Sequence, residues 1–232
     1  MLKKIFNFFG YSLTKTKKST NLHEIIKLRL KERPQDLLLD VGANYGDFSE
    51  KLLSYFKEIH LFEPNPEIVP SLRSKFKSFS NVKIFDCGIG NENKKLPFYM
   101  TNDKGKTLSS IKKQNNIIKE NLRNTEIINQ IEIEIKRLDS ILKNNLYKKI
   151  FLKSDTQGND LETLESLGQF IKNVNFINIE VSIINLYENN YNHWKVLDFL
   201  KNNNFEPIFF DHGIRDKKGK LIECDILFEK QN

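Results

Sequence analysis

The chain has 232 residues, of which 39% are hydrophobic and 29% are charged, and this balance is typical of a globular chain rather than a disordered one. Its net charge of +7 comes from a diffuse surplus of lysine, which indicates a solvated surface more than a nucleic-acid-binding one. Two cysteines and four histidines are too few for a disulfide framework or a zinc cluster, and no apolar run approaches the roughly 20 residues of a membrane-spanning helix.

The N-terminal stretch MLKKIFNFFGYSLTKTKKS is basic and aromatic, and its apolar part is too short for a signal peptide. Its apolar side chains fall on one helical face: Leu2, Ile5, Phe6 and Phe9. The pattern predicts either a reversible contact with a membrane surface or a cap packed on the domain, and both alternatives stay open. We predict an arm and helix over residues 1–33, a second unit over 34–232, and a cytoplasmic location that includes the inner membrane face.

From residue 37 onward, strand-like runs alternate with helix-like segments. Strand signals cover 37–41, 59–64, 82–90, 149–155, 174–182, 206–210 and 221–230. Helical spacing covers 48–56, 67–77, 159–168 and 191–205, and a half-exposed strand is expected at 130–138. This order predicts right-handed βαβ crossovers and an α/β fold, a Rossmann-like three-layer sandwich with a mostly parallel, seven-stranded main sheet.

Five of these strands deliver an acidic side chain at or near their ends: Asp40, Glu63, Asp86, Asp155 and Glu180. In an open parallel sheet the ligand binds beyond the carboxyl ends of the strands, so we expect these acids at one rim. The stretch LLLDVGANYGDFSEKL (37–52) looks like a nucleotide-binding turn. However, Asn44 and Asp47 stand where the dinucleotide pattern G-x-G-x-x-G needs glycine, and Asp47 would repel a pyrophosphate. The loop therefore argues against NAD and FAD.

A ligand with a ribose and a carboxylate but no phosphate fits this loop better, and S-adenosylmethionine is such a ligand. We predict that Gly42 and Gly46 let the backbone pass close beneath it, and that Glu63 accepts hydrogen bonds from the ribose hydroxyls. Asp86 or the amide of Cys87 would reach the adenine. The full predicted cofactor site is Asp40, Gly42, Ala43, Asn44, Gly46, Glu63, Pro64, Asp86, Cys87 and Asp155.

Seven stretches resemble, in order, the successive motifs of the FkbM-type methyltransferases: LLLDVGANYGDFS, LFEPNP, VKIFDCGIGN, Ser109–Ser110, KRLDSIL, FLKSDTQGNDLETLESL and INIEV. The resemblance implies a class I methyltransferase fold. It also implies methyl transfer from S-adenosylmethionine to a hydroxyl of a sugar, glycan or related metabolite. The chain departs from the family pattern at Ser154, where isoleucine is more common, and at Asn159 and Asp160, where alanine and glutamate are common. These departures leave the acceptor geometry open.

We predict that Asp155 acts as general base or orients the acceptor hydroxyl, and that Glu180 lies beside it. Two carboxylates on neighbouring strand ends could instead hold Mg²⁺, which would lower the pKa of the acceptor hydroxyl, and this alternative stays open. His193 and His212 are alternative bases.

The acceptor side of the site is less well defined by the sequence. The segments 100–132 and 185–192 are expected to build the acceptor pocket, and three aromatic residues there could stack on a sugar ring: Tyr187, Tyr191 and Trp194. The rival function is RNA ribose 2′-O-methylation, which the absence of interleaved basic and aromatic residues disfavours. The oligomeric state is left open.

Overall fold

The structure, a computed structural model, describes residues 21–121, 125–142, 147–188 and 193–231. The basic N-terminal arm and Tyr191 lie outside these described residues, so the membrane and cap alternatives for the arm stay predictions. Within the described ranges, no helix combines the length and the apolar character needed to cross a membrane.

The elements follow the predicted alternation of strands and helices. The helices are α1 (Leu22–Glu32), α2 (Asp47–Glu50), α3 (Val69–Phe76), α4 (Asn116–Asn121), α5 (Leu138–Ile141), α6 (Asp160–Glu165) and α7 (His193–Asn202). The strands are β1 (Leu37–Val41), β2 (Glu58–Phe62), β3 (Val82–Phe85), β4 (Gly88–Ile89), β5 (Lys94–Thr101), β6 (Ile127–Lys136), β7 (Ile150–Ser154), β8 (Val174–Ser182), β9 (Phe205–Phe210), β10 (Ile214–Arg215) and β11 (Leu221–Lys230). Two short 3₁₀ turns cover Leu53–Tyr55 and Gly168–Asn173, so the helix predicted over 48–56 is one helical turn followed by the first of them.

The main sheet has the strand order β10-β11-β8-β7-β1-β2-β3, with β9 also paired to β11. The strands from β8 to β3 are parallel, and β11 runs antiparallel to β8. The sheet therefore has eight strands where the sequence predicts seven. Both β9 and β10 pair with the edge of β11 that faces away from β8, so β10 continues β9 after an interruption of three residues.

A second, three-stranded sheet has the order β4-β6-β5 and changes one expectation. The predicted strand over 82–90 is split, because β3 stays in the main sheet while β4 pairs with β6. This small sheet brings Ile89 of β4 and Phe98 of β5 over the carboxyl ends of the main strands, where both line a cavity.

Parallel strands covered on both faces are buried along their whole length, and every residue of β1 is buried. On one face Leu37, Leu39 and Val41 join the largest apolar cluster. On the other face Leu38 packs in a cluster that includes Ile26 and Leu30 of α1. Helix α1 is thus a layer on the main sheet, while the predicted boundary at residues 33 and 34 stays a prediction.

Candidate active site

On the α1 face of the sheet, an apolar layer is followed by a polar layer at the carboxyl rim. The apolar side chains are Leu38, Phe151, Phe176 and Leu227. Alternate residues of a strand share a face, so the next side chains toward the rim are Asp40, Lys153, Asn178 and Asp225. The last three of these are not among the predicted site residues. The available signal was a polar residue at every second position of otherwise apolar runs, as in FINIEV and ECDIL.

Lys153 joins the ends of β1 and β7. Its Nζ donates to the carbonyl oxygen of Gly42 at 2.7 Å and lies 3.2 Å from Asp40 Oδ1 and 3.7 Å from Asp155 Oδ2. Burial disfavours its charge, but the carboxylates of Asp40 and Asp155 outweigh burial and raise the pKa of Lys153 above its usual value. Asp40 is fully buried and also accepts a hydrogen bond from Ser49 Oγ at 2.6 Å. Asp40, predicted to bind the cofactor, is instead an internal ion-pair partner outside the cavity lining.

The two glycines of the β1–α2 loop are explained by contacts within the protein. Gly42 has a φ of +73°, and a Cβ there would lie 1.9 Å from the carbonyl oxygen of Asp155. Gly46 has a φ of +75°, and its Cβ would lie 2.4 Å from the ring of Phe76. The sequence analysis attributed both glycines to a cofactor beneath the loop. The atoms that exclude a side chain belong to β7 and α3 instead.

A cavity enclosing about 650 Å³ lies between this loop, the ends of β2 and β7, and the small sheet. It is lined by Val41, Gly42, Asn44, Glu63, Pro64, Ile89, Phe98, Lys106, Thr107, Ser109, Ser110, Ile111, Asp155, Thr156, Gln157 and Asn159. Five residues of the predicted cofactor site are brought together here, namely Gly42, Asn44, Glu63, Pro64 and Asp155.

Glu63 is a buried carboxylate in the cavity wall. Its Oε2 accepts the backbone N–H of Asn44 at 2.8 Å, and its Oε1 accepts that of Asn65 at 2.8 Å. Burial raises the pKa of Glu63 to about 7, although these two hydrogen bonds act to lower it. Each carboxylate oxygen keeps a further lone pair, so Glu63 can accept hydrogen bonds from a diol in the cavity.

The remaining predicted cofactor residues lie outside this cavity. The Asp86 carboxylate is half-exposed and pairs with Arg73 at 2.6 Å, so this surface ion pair turns it away from the lining. Cys87 is buried, and burial raises the pKa of its thiol to about 11. Gly46 packs on α3, and Ala43 lines a neighbouring cleft.

The far wall of the cavity holds Asp155 and Gln157, and Gln157 joins Asp155 to Glu180, the second predicted catalytic carboxylate, which lies behind the lining. Gln157 Nε2 donates to Asp155 Oδ1 at 2.9 Å and to Glu180 Oε2 at 2.8 Å. Gln157 Oε1 accepts the hydroxyl of Tyr187 at 2.5 Å. Burial, followed by the charge of Asp155, raises the pKa of Glu180 well above its usual value. The structure thus places the predicted pair on the two sides of one amide, while their catalytic role stays a prediction, and Gln157 and Tyr187 are not among the predicted site residues.

The arrangement gives no support to magnesium between these carboxylates. The amide nitrogen of Gln157 already lies within hydrogen-bond distance of both, in the place that a shared cation would take. Among the described residues, no group of three or more His, Cys, Asp or Glu side chains is arranged to hold a metal ion.

A second cleft, enclosing about 870 Å³, adjoins the cavity and shares Gly42, Asn44, Thr107 and Asp155 with it. Its lining adds three acids, Asp47, Asp211 and Asp225. Burial and then the charge of Asp155 raise the pKa of Asp225 to about 6. Among the described residues that line this cleft, Lys153 is the only lysine or arginine, and it already forms an ion pair with Asp40. The cleft therefore suits a cationic group and disfavours a phosphate, which fits S-adenosylmethionine and not a dinucleotide.

The alternative bases and the stacking candidates lie elsewhere. Neither His193 nor His212 is found in the lining of the cavity or the cleft, over the ranges that the structure describes. Tyr187 is buried and bonded to Gln157, so it does not offer a face to a sugar. Trp194 is 59% exposed at the start of α7.

Two solved structures show the same fold at low identity. A methyltransferase FkbM from Methylobacillus flagellatus is 12% identical, with a TM-score of 0.51 over 84% of this chain and 44% of that longer one. An rRNA methylase from Streptococcus thermophilus is 9% identical, with a TM-score of 0.52 over 93% of this chain and all of its own. These two structures show that the chain has the class I methyltransferase fold, with the acidic rim and the Glu63 cavity at the carboxyl ends of its strands.

The sequence comparison narrows the class to one family. The methyltransferase FkbM domain matches residues 40–207, and the chain belongs to the FkbM methyltransferase family. A curated relative, the 2-O-methyltransferase NoeI of Sinorhizobium fredii, is 24% identical over 200 residues, which are 83% of this chain and 82% of NoeI. The resemblance carried by the seven ordered motifs is thereby confirmed.

Proposed function

We propose that the protein transfers a methyl group from S-adenosylmethionine to a hydroxyl of a sugar, or of a related glycan metabolite. The family match and the 2-O-methyltransferase relative support transfer to oxygen. The observation that carries the proposal is the shared wall of the two cavities. Asp155 lines both, so its carboxylate lies beside a cofactor that would extend from the cavity into the cleft, and an acceptor hydroxyl would meet the methyl group there.

The cofactor is proposed to occupy the cavity with its adenosine part. Glu63 would accept hydrogen bonds from the ribose hydroxyls with the lone pairs that the backbone amides leave free. Pro64, Ile89 and Phe98 form an apolar wall that suits the adenine ring. The acidic side chains of the adjoining cleft would lie near the positive charges of the other end of the cofactor.

Asp155 is proposed to act on the acceptor hydroxyl. When bound, S-adenosylmethionine supplies an electrophilic methyl group, whose bond to sulfur breaks as the acceptor oxygen attacks in line. Asp155 accepts a hydrogen bond from the acceptor hydroxyl, aligns its oxygen, and takes its proton as the new O–C bond forms. Lys153 Nζ lies 3.7 Å from Asp155 Oδ2, on the side of the carboxylate away from the oxygen that Gln157 holds.

Two measurements test this proposal. Titration calorimetry with S-adenosylhomocysteine should show binding, and absence of binding by the folded wild type would refute the cofactor site. A screen with labelled S-adenosylmethionine should then give transfer to free or lipid-linked glycosides rather than to RNA. Label incorporated into RNA alone would overturn the sugar acceptor in favour of ribose methylation.

The role of Asp155 is tested by Asp155→Asn, which keeps the shape of the side chain and removes its basicity. We expect kcat to fall by about 10²-fold or more, the usual contribution of a general base, with S-adenosylhomocysteine affinity within a few-fold of wild type. The matched control is Asp198→Asn on the exposed face of α7, which should leave both quantities unchanged. Turnover of Asp155→Asn close to that of wild type would show that the base is another group.

A further inference from the structure

We propose that Gln157 is a positioning residue, which fixes Asp155 against Glu180 through its side-chain amide and is itself held in place by the hydroxyl of Tyr187. The inference deepens the proposed function, because it names residues that act on the reaction through Asp155. Tyr187 lies outside the seven motif stretches, 30 residues from Gln157 along the chain.

The hydrogen bonds of the Gln157 amide define its orientation. A glutamine NH₂ group has two hydrogens, and here one is directed at Asp155 Oδ1 and the other at Glu180 Oε2. The hydroxyl of Tyr187 donates to the amide oxygen on its other side. A flipped amide would place its oxygen against two carboxylate oxygens and its nitrogen against a hydroxyl. The two carboxylates therefore select the orientation that bridges them, and the hydroxyl of Tyr187 holds the amide oxygen in place.

The backbone at Gln157 is fixed as firmly as its side chain. Gln157 has a φ of +53°, a left-handed conformation that non-glycine residues seldom adopt. Ser110 Oγ donates to its carbonyl oxygen at 2.7 Å, which ties it to the segment that covers the cavity. Tyr187 is 2% exposed and packs with Leu108, Leu186 and Ile222. Two buried side chains therefore hold Gln157, Ser110 at its backbone and Tyr187 at its side-chain amide. A residue that orients another needs such support.

The two carboxylates need such a donor because their surroundings are strongly acidic. The charged groups around them are Lys153 and Asp160 on the side of β7 and α6, and Glu223 and Asp225 on β11. Of the two acids, Lys153 forms an ion pair with Asp155. It approaches Oδ2 of Asp155, while Oδ1 accepts the hydrogen bond from Gln157. Without the amide, the like charges of Asp155 and Glu180 would face each other with no donor between them. Asp155 would then turn away or share a proton with Glu180, and either change removes the aligned carboxylate.

The kinetic test uses Tyr187→Phe, which removes one hydroxyl and keeps the buried ring. Tyr187 does not appear in the cavity lining, so affinity for S-adenosylhomocysteine should stay within about twofold. We expect kcat to fall about tenfold at an unchanged KM for S-adenosylmethionine, because one buried hydrogen bond contributes roughly 1.4 kcal/mol. The control is Tyr147→Phe. The Tyr147 hydroxyl also bonds a carboxylate, that of Glu58, but Tyr147 precedes β7 and lies far from the carboxyl ends of the strands. This control variant should leave kcat unchanged.

A second test needs no acceptor. Carboxyl carbons of Asp and Glu are labelled with ¹³C, and their titration is followed by NMR in the complex with S-adenosylhomocysteine, for wild type, Tyr187→Phe and Gln157→Leu. In Gln157→Leu the Glu180 midpoint should rise by about one pH unit, because its ionised form loses a hydrogen-bond donor. Tyr187→Phe should shift it in the same direction by less.

The outcomes separate this inference from the proposed function. If wild type binds S-adenosylhomocysteine but the titrations of Asp155 and Glu180 are the same in all three proteins, the positioning role is refuted and the proposed function stands. If the folded wild type binds no S-adenosylhomocysteine, the proposed function itself is refuted. A Gln157→Leu protein that does not fold leaves Tyr187→Phe as the deciding variant, and unchanged kcat and midpoints in Tyr187→Phe also overturn the inference.

Discussion

Glu63 and Lys153 are both buried charged residues of the site, but their neighbours compensate the cost of burial to different extents. Glu63 receives two backbone N–H groups, yet burial dominates and raises its pKa to about 7. Lys153 is also buried, and burial alone would lower its pKa. The carboxylates of Asp40 and Asp155 outweigh burial, so the pKa of Lys153 is raised. The consequence is one carboxyl group that titrates near neutrality and one lysine that stays charged.

For Glu63 we predict a loss of cofactor affinity in Glu63→Gln. The amide has one acceptor atom and a donor where the carboxylate has two acceptors, and a hydrogen bond to a charged group contributes about 1.5–3 kcal/mol. S-adenosylhomocysteine affinity, measured by calorimetry at about pH 8, should therefore fall roughly 10- to 100-fold. Glu206→Gln, on the exposed edge strand β9, should bind as wild type does. Equal affinities of the two variants would show that Glu63 does not hold the ribose.

For Lys153 we predict a large loss of stability in Lys153→Met. The change leaves the fully buried Asp40 without its cation, and breaking a buried ion pair in this way costs about 3–5 kcal/mol. Lys57→Met removes the partner of Asp36 at a site where the lysine side chain is 82% exposed, and should cost less than about 1 kcal/mol. Urea unfolding of both variants measures the difference, and similar losses would contradict the role assigned to Lys153.

At the scale of elements, the β1–α2 loop is fixed by its approach to β7. The carbonyl oxygen of Asp155 stands where a side chain at residue 42 would begin, so one contact positions both the loop and the residue proposed to act as base. The bounds of β1 and β8 follow from sequence, because their closely spaced apolar residues mark buried parallel strands even where Asp40, Asn178 and Glu180 interrupt them. The split of 82–90 does not, because β4 pairs with β6, more than 40 residues further along the chain.

The loop contact predicts different outcomes for two glycine substitutions. Gly42 and Gly219 both have positive φ, +73° and +84°, but a Cβ at Gly219 meets nothing within 4 Å. Gly219→Ala should therefore cost only the backbone strain, about 1–2 kcal/mol. Gly42→Ala adds a clash with the backbone of Asp155 and should cost at least twice as much, with loss of S-adenosylhomocysteine binding. Urea unfolding and calorimetry measure the two effects, and equal unfolding losses would contradict the contact.

At the scale of the whole molecule, the sequence could predict which strand ends meet but not which side chains bond there. The acids that close β7 and β8 are neighbours because the strand order of an α/β sheet follows from its crossovers. The bonds of Lys153 to Gly42 and of Gln157 to Tyr187 join residues 111 and 30 positions apart. Such pairs depend on side-chain rotamers and on how the segment around Ser110 packs over the cavity. No local sequence pattern encodes either of these.

The acidic rim also predicts how the stability of the ligand-free protein depends on pH. Burial raises the pKa of Glu63 to about 7, and those of Asp160 and Asp225 to about 6. The folded state thus binds more protons than the unfolded state between the ordinary and the raised values. For these groups the free energy of unfolding is highest below their unfolded pKa and is lost as pH rises through the folded pKa. His23 and His60 act in the opposite sense, because burial lowers their pKa values.

A comparison of wild type with Glu63→Gln isolates one group from this balance, because the other titrating residues are common to both proteins. The pKa of Glu63 rises from 4.5 to about 7 on folding, so wild type should lose roughly 3 kcal/mol relative to Glu63→Gln between about pH 4 and pH 8. Urea unfolding of both proteins at several pH values measures this difference. The difference in the free energy of unfolding could instead stay constant with pH or change in favour of wild type. Either result would mean that Glu63 is ionised in the ligand-free fold and that water reaches its carboxylate.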